Sequence, residues 1–253
     1  MAYIGISESQ FAFMFFHKFS NLHNDEFSKM VVPSTILEGK IDYEFKGTDL
    51  VLDNYFIQFK TSHYMVRPSS TRFKNDFSSR FLYFETDNES QYQFLNEYTK
   101  EPENHVWYVA PSASKTAEIN PQKSDFWFND FYRSDPNEID DYSCIVSVRD
   151  VDWGNGWAKN DKHYVAFEHE NDWYCYYSEP VKAEKIKITQ LDNQSYFRGR
   201  GELELDIVLS SVAESLIDFD LNKNQNLFDQ IKQVQELFLV NYNTFWIPRI
   251  ENK

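Results

Sequence analysis

Acidic, amide and lysine side chains lie on two short segments whose patterning is typical of β-strands. Apolar and charged residues alternate around Asp42 and Glu44, so these two side chains share one face of a strand. Gln58 and Lys60 share a face of a second strand in the same way. If a turn centred near residue 50 pairs the two strands, Asp42 lies opposite Gln58, within about 5 Å. Oxygen ligands of this kind hold Mg²⁺, and a neighbouring ammonium stabilises charge on a phosphate, so the pattern predicts metal-assisted phosphodiester hydrolysis.

The elements that must position these residues follow from hydrophobic periodicity. Aromatic residues at helical spacing predict a helix over residues 8–20, which begins at Glu8. Strict alternation predicts a strand at 41–46, and a second strand is predicted at 54–60, so that the two pair as a hairpin. A second helix is predicted over 89–99 and a short strand over 105–109. The order of helix, hairpin, helix and strand predicts an α+β fold in which helices flank a mixed β-sheet.

The remainder of the chain is predicted to be β-rich and then helical. Strands are expected at 144–151, 163–168, 173–177, 184–189 and 202–209. The last 45 residues carry two apolar stripes at helical spacing and predict a C-terminal helical pair, made of Leu209, Val212, Leu216 and Phe219 in one helix and Leu227, Ile231, Val234 and Phe238 in the other. We therefore divide the chain into a core, residues 1–115, and an extension, residues 116–253, that packs on it.

A helix acid, a strand acid and an acid-x-lysine pair together resemble the PD-(D/E)xK nuclease superfamily. Glu8 corresponds to the helix acid, Asp42 to the strand acid, and Gln58-Phe59-Lys60 to the acid-x-lysine pair. The resemblance covers residues 1–115 and implies a restriction-endonuclease-like core. It implies a metal-dependent nuclease, with Mg²⁺ or Mn²⁺ held by Asp42, Glu8 and Glu44, and with Lys60 and Gln58 as catalytic residues. Small nucleases of this superfamily often belong to bacterial antiviral defence systems.

The chain departs from the family pattern at Gln58, where the usual residue is an acid. Some members of the superfamily have glutamine there. Either Glu44 or Glu38 supplies the missing negative charge, or the site is inactive. The alternative hypothesis is a non-catalytic acidic protein that binds a partner or mimics DNA. In that case Glu8 only favours its helix through the helix dipole, and Lys60 extends into solvent.

Charge is distributed unevenly along the sequence. The chain has 25 Lys+Arg and 40 Asp+Glu, a formal net charge of −15, which argues against a protein that coats nucleic acid. Residues 60–80, however, carry five cations and one acid, which leaves −19 for the rest. We expect four of these cations to contact a nucleic-acid backbone: Arg67, Arg72, Lys74 and Arg80. The alternative is that they pair with acids of the same molecule.

Composition excludes several other classes of protein. With only 7 glycines, the sequence has neither a P-loop nor a dinucleotide-binding fingerprint. Two cysteines, Cys144 and Cys175, cannot make a disulfide framework, and no apolar run approaches the roughly 20 residues that span a membrane. We therefore expect a cytoplasmic protein that does not bind membranes. Aromatic residues make up 18% of the chain, which favours a self-associating surface, and a protein partner is a further possibility for targeting.

Overall fold

The part of the chain that the structure, a computed structural model, describes contains both helices and strands. That part comprises residues 2–3, 8–22, 50–65, 81–86, 89–100, 104–112, 131, 133–150, 164–167, 174–177, 182–190 and 227–252. The α-helices are α1 (Glu8–Leu22), α2 (Glu89–Tyr98), α3 (Ile139–Tyr142) and α4 (Leu227–Tyr242). The strands are β1 (Ala2–Tyr3), β2 (Leu50–Phe59), β3 (His63–Met65), β4 (Phe81–Glu85), β5 (Asn104–Pro111), β6 (Ser143–Ser147), β7 (Tyr164–Phe167), β8 (Tyr174–Tyr177), β9 (Lys182–Glu184) and β10 (Phe245–Asn252). Three 3-10 helices cover Pro136–Glu138, Val148–Asp150 and Ile188–Gln190.

The chain forms two compact units, each built from separate segments. Unit 1 consists of Met1–His23, Phe59–Glu97 and Trp107–Leu191. Unit 2 consists of Asn24–Gln58, Tyr98–Val106 and Asp192–Lys253. These units are defined by packing and not by order along the chain, so the division into residues 1–115 and 116–253 stays a prediction.

Helix α1 of unit 1 forms because its aromatic residues recur at helical spacing. Phe11, Phe15 and Phe19 are at most 1% exposed and make the buried face, as the sequence predicts. Glu8 lies in the first turn, where the helix dipole favours a negative charge. The buried face packs near the 3-10 helix Pro136–Glu138 and near α3.

Unit 1 contains a six-stranded antiparallel sheet in the order β1-β3-β4-β7-β8-β9. Strand β4 is buried on both faces, because Leu82 and Phe84 are at most 2% exposed on one face and Phe81 and Tyr83 at most 6% on the other. Phe84 packs 6.2 Å from the Phe167 ring and so links β4 to β7 within the core. Beside this sheet, β5 pairs antiparallel with β6 through Trp107–Pro111.

Unit 2 is organised around the pairing of β10 with β2. The two strands run antiparallel, from Phe245 opposite Ile57 to Asn252 opposite Leu50. Its core is aromatic, since Phe56 lies 4.4 Å from the Tyr98 ring and 5.5 Å from the Phe238 ring of α4. Helix α4 ends at Tyr242 and is followed by Asn243, whose φ of 50° is a left-handed conformation that asparagine tolerates.

Strands β2 and β5 are neighbours that run in the same direction. In unit 2, the Tyr55 ring stacks on the His105 ring with 4.9 Å between centroids. In unit 1, the Lys60 backbone N–H donates to the carbonyl oxygen of Val109 at 2.9 Å. Strands β2 and β5 are therefore parallel. In contrast, β10 pairs antiparallel with β2, and β6 pairs antiparallel with β5. The prediction of an α+β chain with mixed pairing and flanking helices is confirmed at this level.

Two predicted strands are wrong in extent. The strand expected at 184–189 is wrong over most of its length, because β9 ends at Glu184 and a 3-10 helix begins at Ile188. The Asp140 carboxylate causes this change, because it accepts hydrogen bonds from the N–H groups of Ile188 at 2.9 Å and Thr189 at 3.1 Å, as an N-cap does. The strand expected at 144–151 likewise ends at Ser147.

The C-terminal prediction is only half right. Helix α4 confirms the second apolar stripe, while the first stripe, residues 209–219, and the strand at 202–209 lie outside the described residues. The chain then forms β10, where the sequence predicts helix, although Pro248 within the run disfavours a strand. Pairing with β2 overrides that local signal.

The predicted hairpin is tested only on one side. Residues 41–46 lie outside the described part, so the pairing of Asp42 with Gln58 stays a prediction. A turn centred at residue 50 is wrong, since Leu50 is already paired within β2.

Within the described ranges, no helix has both the length and the apolar character needed to cross a membrane.

Candidate functional site

Lys60 stands at the end of β2 and is held by three groups of unit 1. Its backbone is fixed by the bond to Val109, so the side chain starts from a defined point. Its Nζ donates to Oε1 of Gln91 on α2 at 3.0 Å. The same Nζ lies 5.5 Å from the centroid of the Tyr108 ring, within the range of a cation–π interaction. Lys60 is half-buried.

Glu8 reaches the residue next to Lys60. Its Oε1 accepts a hydrogen bond from the backbone N–H of Thr61 at 3.0 Å and from the Thr61 hydroxyl at 3.2 Å. Charge-assisted bonds of this kind are stronger than neutral ones and fix the carboxylate. The first turn of α1 is thereby attached to the end of β2. The structure thus attaches one predicted site residue, Glu8, to the residue that follows another, Lys60, in the chain.

Phe59, which precedes Lys60, packs against the aromatic face of α1. The ring is 2% exposed and packs edge-on against three rings of α1, Phe11 at 5.8 Å, Phe15 at 5.5 Å and Phe16 at 5.3 Å. Edge-to-face aromatic pairs at these separations add to the stability gained from burial. The middle residue of Gln58-Phe59-Lys60 therefore joins the strand that carries Lys60 to the helix that carries Glu8.

Tyr108 supplies the aromatic face beneath the Lys60 ammonium. Burial raises the pKa of Tyr108 far above its ordinary value, and Tyr92 acts in the same direction. The phenol therefore stays neutral, and its ring presents an uncharged face to the cation. Phe84 lies 6.2 Å from this ring and ties it to the core of unit 1.

Gln58 belongs to unit 2, where it is 1% exposed. Its Oε1 has no hydrogen-bond partner among the residues that the structure describes. A buried amide oxygen without a donor is costly, and a site that receives a hard cation is one environment that satisfies it. An amide oxygen such as that of Gln58 is a ligand type that Mg²⁺ or Mn²⁺ accepts.

Most of the other predicted site residues lie outside the described part of the chain: Asp42, Glu44, Arg67, Arg72, Lys74 and Arg80, together with Glu38. Their roles stay predictions. Among the described residues, no group of three or more histidine, cysteine, aspartate or glutamate side chains is placed to hold a metal ion. The acids expected to complete such a group are among those that fall outside.

The sequence analysis missed Gln91, Thr61 and Tyr108. A signal for Gln91 existed, because it precedes Leu95 by four residues and so falls on the apolar stripe of α2. A polar residue on a buried stripe needs a partner within the protein. Nothing in the sequence alone shows that this partner is Lys60, 31 residues away.

A thiol nucleophile is excluded at Cys144. The side chain is fully buried in β6 as a free thiol. Burial raises the pKa of Cys144 to about 11, although Lys185 and Lys187 oppose the shift. The group is therefore protonated and inert at neutral pH, since the thiolate is the reactive form.

A second buried lysine, Lys18, is structural. It is 2% exposed, donates to the carbonyl oxygen and, at 2.8 Å, to the hydroxyl of Ser134, and lies 5.7 Å from the Phe131 ring. Burial lowers the pKa of Lys18 below 10.5, while Glu138 and Asp135 oppose that shift. Its ammonium joins α1 to the segment before α3.

Lys18 predicts a specific pH dependence of stability. Between its lowered pKa and 10.5 the folded state binds fewer protons than the unfolded state, so unfolding free energy rises with pH, by at most about 1.4 kcal/mol per pH unit. We expect Lys18→Met to remove this contribution in urea titrations from pH 7 to 10.5. The exposed Lys232→Met is the control. Parallel curves for wild type and Lys18→Met would contradict the prediction.

Comparison with family models, with curated proteins and with solved structures finds no match for this chain. The fold and the geometry around Lys60 therefore carry the functional argument.

Proposed function

We propose that this protein is a nuclease that hydrolyses phosphodiester bonds with the help of a divalent cation, Mg²⁺ or Mn²⁺. One observation carries the proposal, which is that Glu8 is bonded to Thr61, directly beside Lys60. The two residues are separated by 52 positions in the sequence and belong to different elements. A carboxylate and an ammonium at one corner are the minimum that this reaction asks of the protein.

Each residue has a role that follows from its chemistry. The Lys60 ammonium stabilises the negative charge that develops on the phosphate, and its hydrogen bond to Gln91 keeps it in place. Glu8 supplies an anionic oxygen to the cation. The sequence assigns Asp42, Glu44 and Gln58 to the same task. When bound, the cation offsets charge on the phosphate and lowers the pKa of a water molecule.

Substrate binding is assigned to the basic segment that follows Lys60. Arg67, Arg72, Lys74 and Arg80 contact the phosphate backbone in this proposal, so affinity falls steeply with salt. The rest of the chain is strongly acidic. This acidic remainder repels nucleic acid and so confines its binding to the basic segment. It also offers a surface for a protein partner that directs the nuclease. A restriction-endonuclease-like core and a role in antiviral defence are parts of the same proposal.

The net charge of −15 favours a second candidate, an acidic protein that binds a basic partner without catalysis. In that function the bonds of Glu8 with Thr61 and of Lys60 with Gln91 are only structural. The two candidates differ in one measurable property, metal-dependent cleavage.

The test is a cleavage assay on single-stranded DNA, duplex DNA and RNA, with Mg²⁺, with Mn²⁺ or with EDTA. We expect cleavage that needs the metal and falls at least about 100-fold in Lys60→Ala. Lys100→Ala, an exposed lysine just after α2, is the matched control and should cleave like the wild type. Equal cleavage by wild type and Lys60→Ala would refute the assignment. Failure of the wild type on every substrate would favour the binding protein.

A further inference from the structure

The hydrogen bond with Lys60 determines which way the side-chain amide of Gln91 is oriented. The side chain is nine-tenths buried on α2, and its Oε1 lies 3.0 Å from Nζ of Lys60. An ammonium can only donate, so the amide must present its oxygen to Lys60. The contact is therefore a bond between a full positive charge and a neutral acceptor.

Because the Gln91 amide is neutral, it does not offset the positive charge of Lys60, whereas a carboxylate would. A glutamate at this position would form an ion pair with Lys60 and cancel much of its charge. The amide holds the ammonium at one side while the Tyr108 ring holds it from another, and neither group carries a charge. Gln91 and Tyr108 thus hold Lys60 without themselves placing a negative charge beside it.

Fixing matters because a lysine side chain is long and loses considerable rotamer entropy when it is ordered. Without the bond to Gln91, the ammonium would sample several positions around the end of β2. A charge-stabilising group that is displaced by about 1 Å loses up to about 100-fold in rate. The buried amide therefore meets a requirement that a surface lysine does not have.

We propose that Gln91 is a positioning residue that holds the Lys60 ammonium in its active place without neutralising it. That this contact serves catalysis rests on the proposed function. It adds a requirement for an uncharged acceptor at position 91. Gln91 acts through Lys60 and does not itself touch the substrate.

The first test does not depend on cleavage. Reductive methylation followed by mass spectrometry measures how fast the Lys60 amine reacts relative to the exposed Lys100. We expect Gln91→Leu to raise this ratio about tenfold, because a hydrogen bond to a charged group is lost. Gln91→Glu keeps an acceptor and should keep the protection. Gln93→Leu, an exposed glutamine on the same helix, is the control and should not change it.

The second test separates positioning from packing. We expect both Gln91→Leu and Gln91→Glu to lower kcat, by about 10- to 100-fold, with KM within about twofold of the wild type. Gln91→Glu is decisive, because it protects Lys60 from methylation and still loses activity through neutralisation. Full activity of Gln91→Glu would overturn the need for an uncharged acceptor.

The outcomes distinguish this inference from the proposed function. An unchanged methylation ratio in a folded Gln91→Leu protein, with circular dichroism as the check, overturns the positioning role whatever the cleavage assay shows. A raised ratio with no cleavage by the wild type supports the hold on Lys60 and removes the nuclease proposal.

Discussion

Replacement of Phe59 by alanine is expected to lower the free energy of unfolding by about 3–5 kcal/mol. The ring is 2% exposed and contacts Phe11, Phe15 and Phe16 edge-on, so its removal leaves a cavity between β2 and α1. Partial collapse of the surrounding rings reduces the loss but does not remove it. The cleavage rate should fall by more than the loss of folded protein alone explains. The reason is that the same contacts hold α1, and with it Glu8, at the segment that carries Lys60 and Thr61.

Urea denaturation followed by tryptophan fluorescence measures this loss. Phe13→Ala is the matched control, since Phe13 lies on the same helix but is 45% exposed. We expect the control to change stability by less than about 0.5 kcal/mol. If Phe59→Ala and Phe13→Ala behaved alike, the packing of β2 on α1 described above would be wrong.

Two substitutions of Glu8 are expected to separate its structural role from its proposed role in binding a cation. Glu8→Gln keeps an oxygen that accepts from Thr61, so stability should fall only by about 0.3–1 kcal/mol through the lost charge at the helix N-terminus. Glu8→Ala loses both bonds from Thr61 and should cost about 2–3 kcal/mol. Both variants should lose cleavage at least about 100-fold, because an anionic ligand is gone in each.

Unfolding free energies, together with cleavage rates over a series of Mn²⁺ concentrations, check this pair. Raised Mn²⁺ should partly restore Glu8→Gln, since a neutral oxygen still binds weakly. Wild-type cleavage by Glu8→Gln would show that Glu8 only attaches α1 to Thr61. Such a result would leave the role of Lys60 intact.

Periodicity in the sequence is sufficient to predict the elements that have a single buried face. The stripe of Phe11, Phe15 and Phe19 predicts α1, and its first acid, Glu8, is indeed brought to the end of β2. Helix α2 follows from the same kind of signal. Lys60 was predicted from its spacing to Gln58, and the structure gives it specific partners.

Long-range partners are what the sequence does not reveal. The pairing of Trp246 with Phe56 joins residues 190 positions apart, and no local pattern indicates it. The 3-10 helix at Ile188 depends on Asp140, and the placement of Lys60 depends on Gln91. In each case a side chain from another element determines the outcome, so only the tertiary fold can specify it.

The hydrogen bond from the Thr61 amide to Glu8 makes one NMR signal a reporter of the site. An amide proton that faces a carboxylate oxygen resonates downfield, and the signal moves when that carboxylate is protonated or binds a cation. A two-dimensional ¹⁵N spectrum of the intact chain would therefore follow metal binding residue by residue, with no substrate present. The occupancy of the site and its chemistry then become separate measurements.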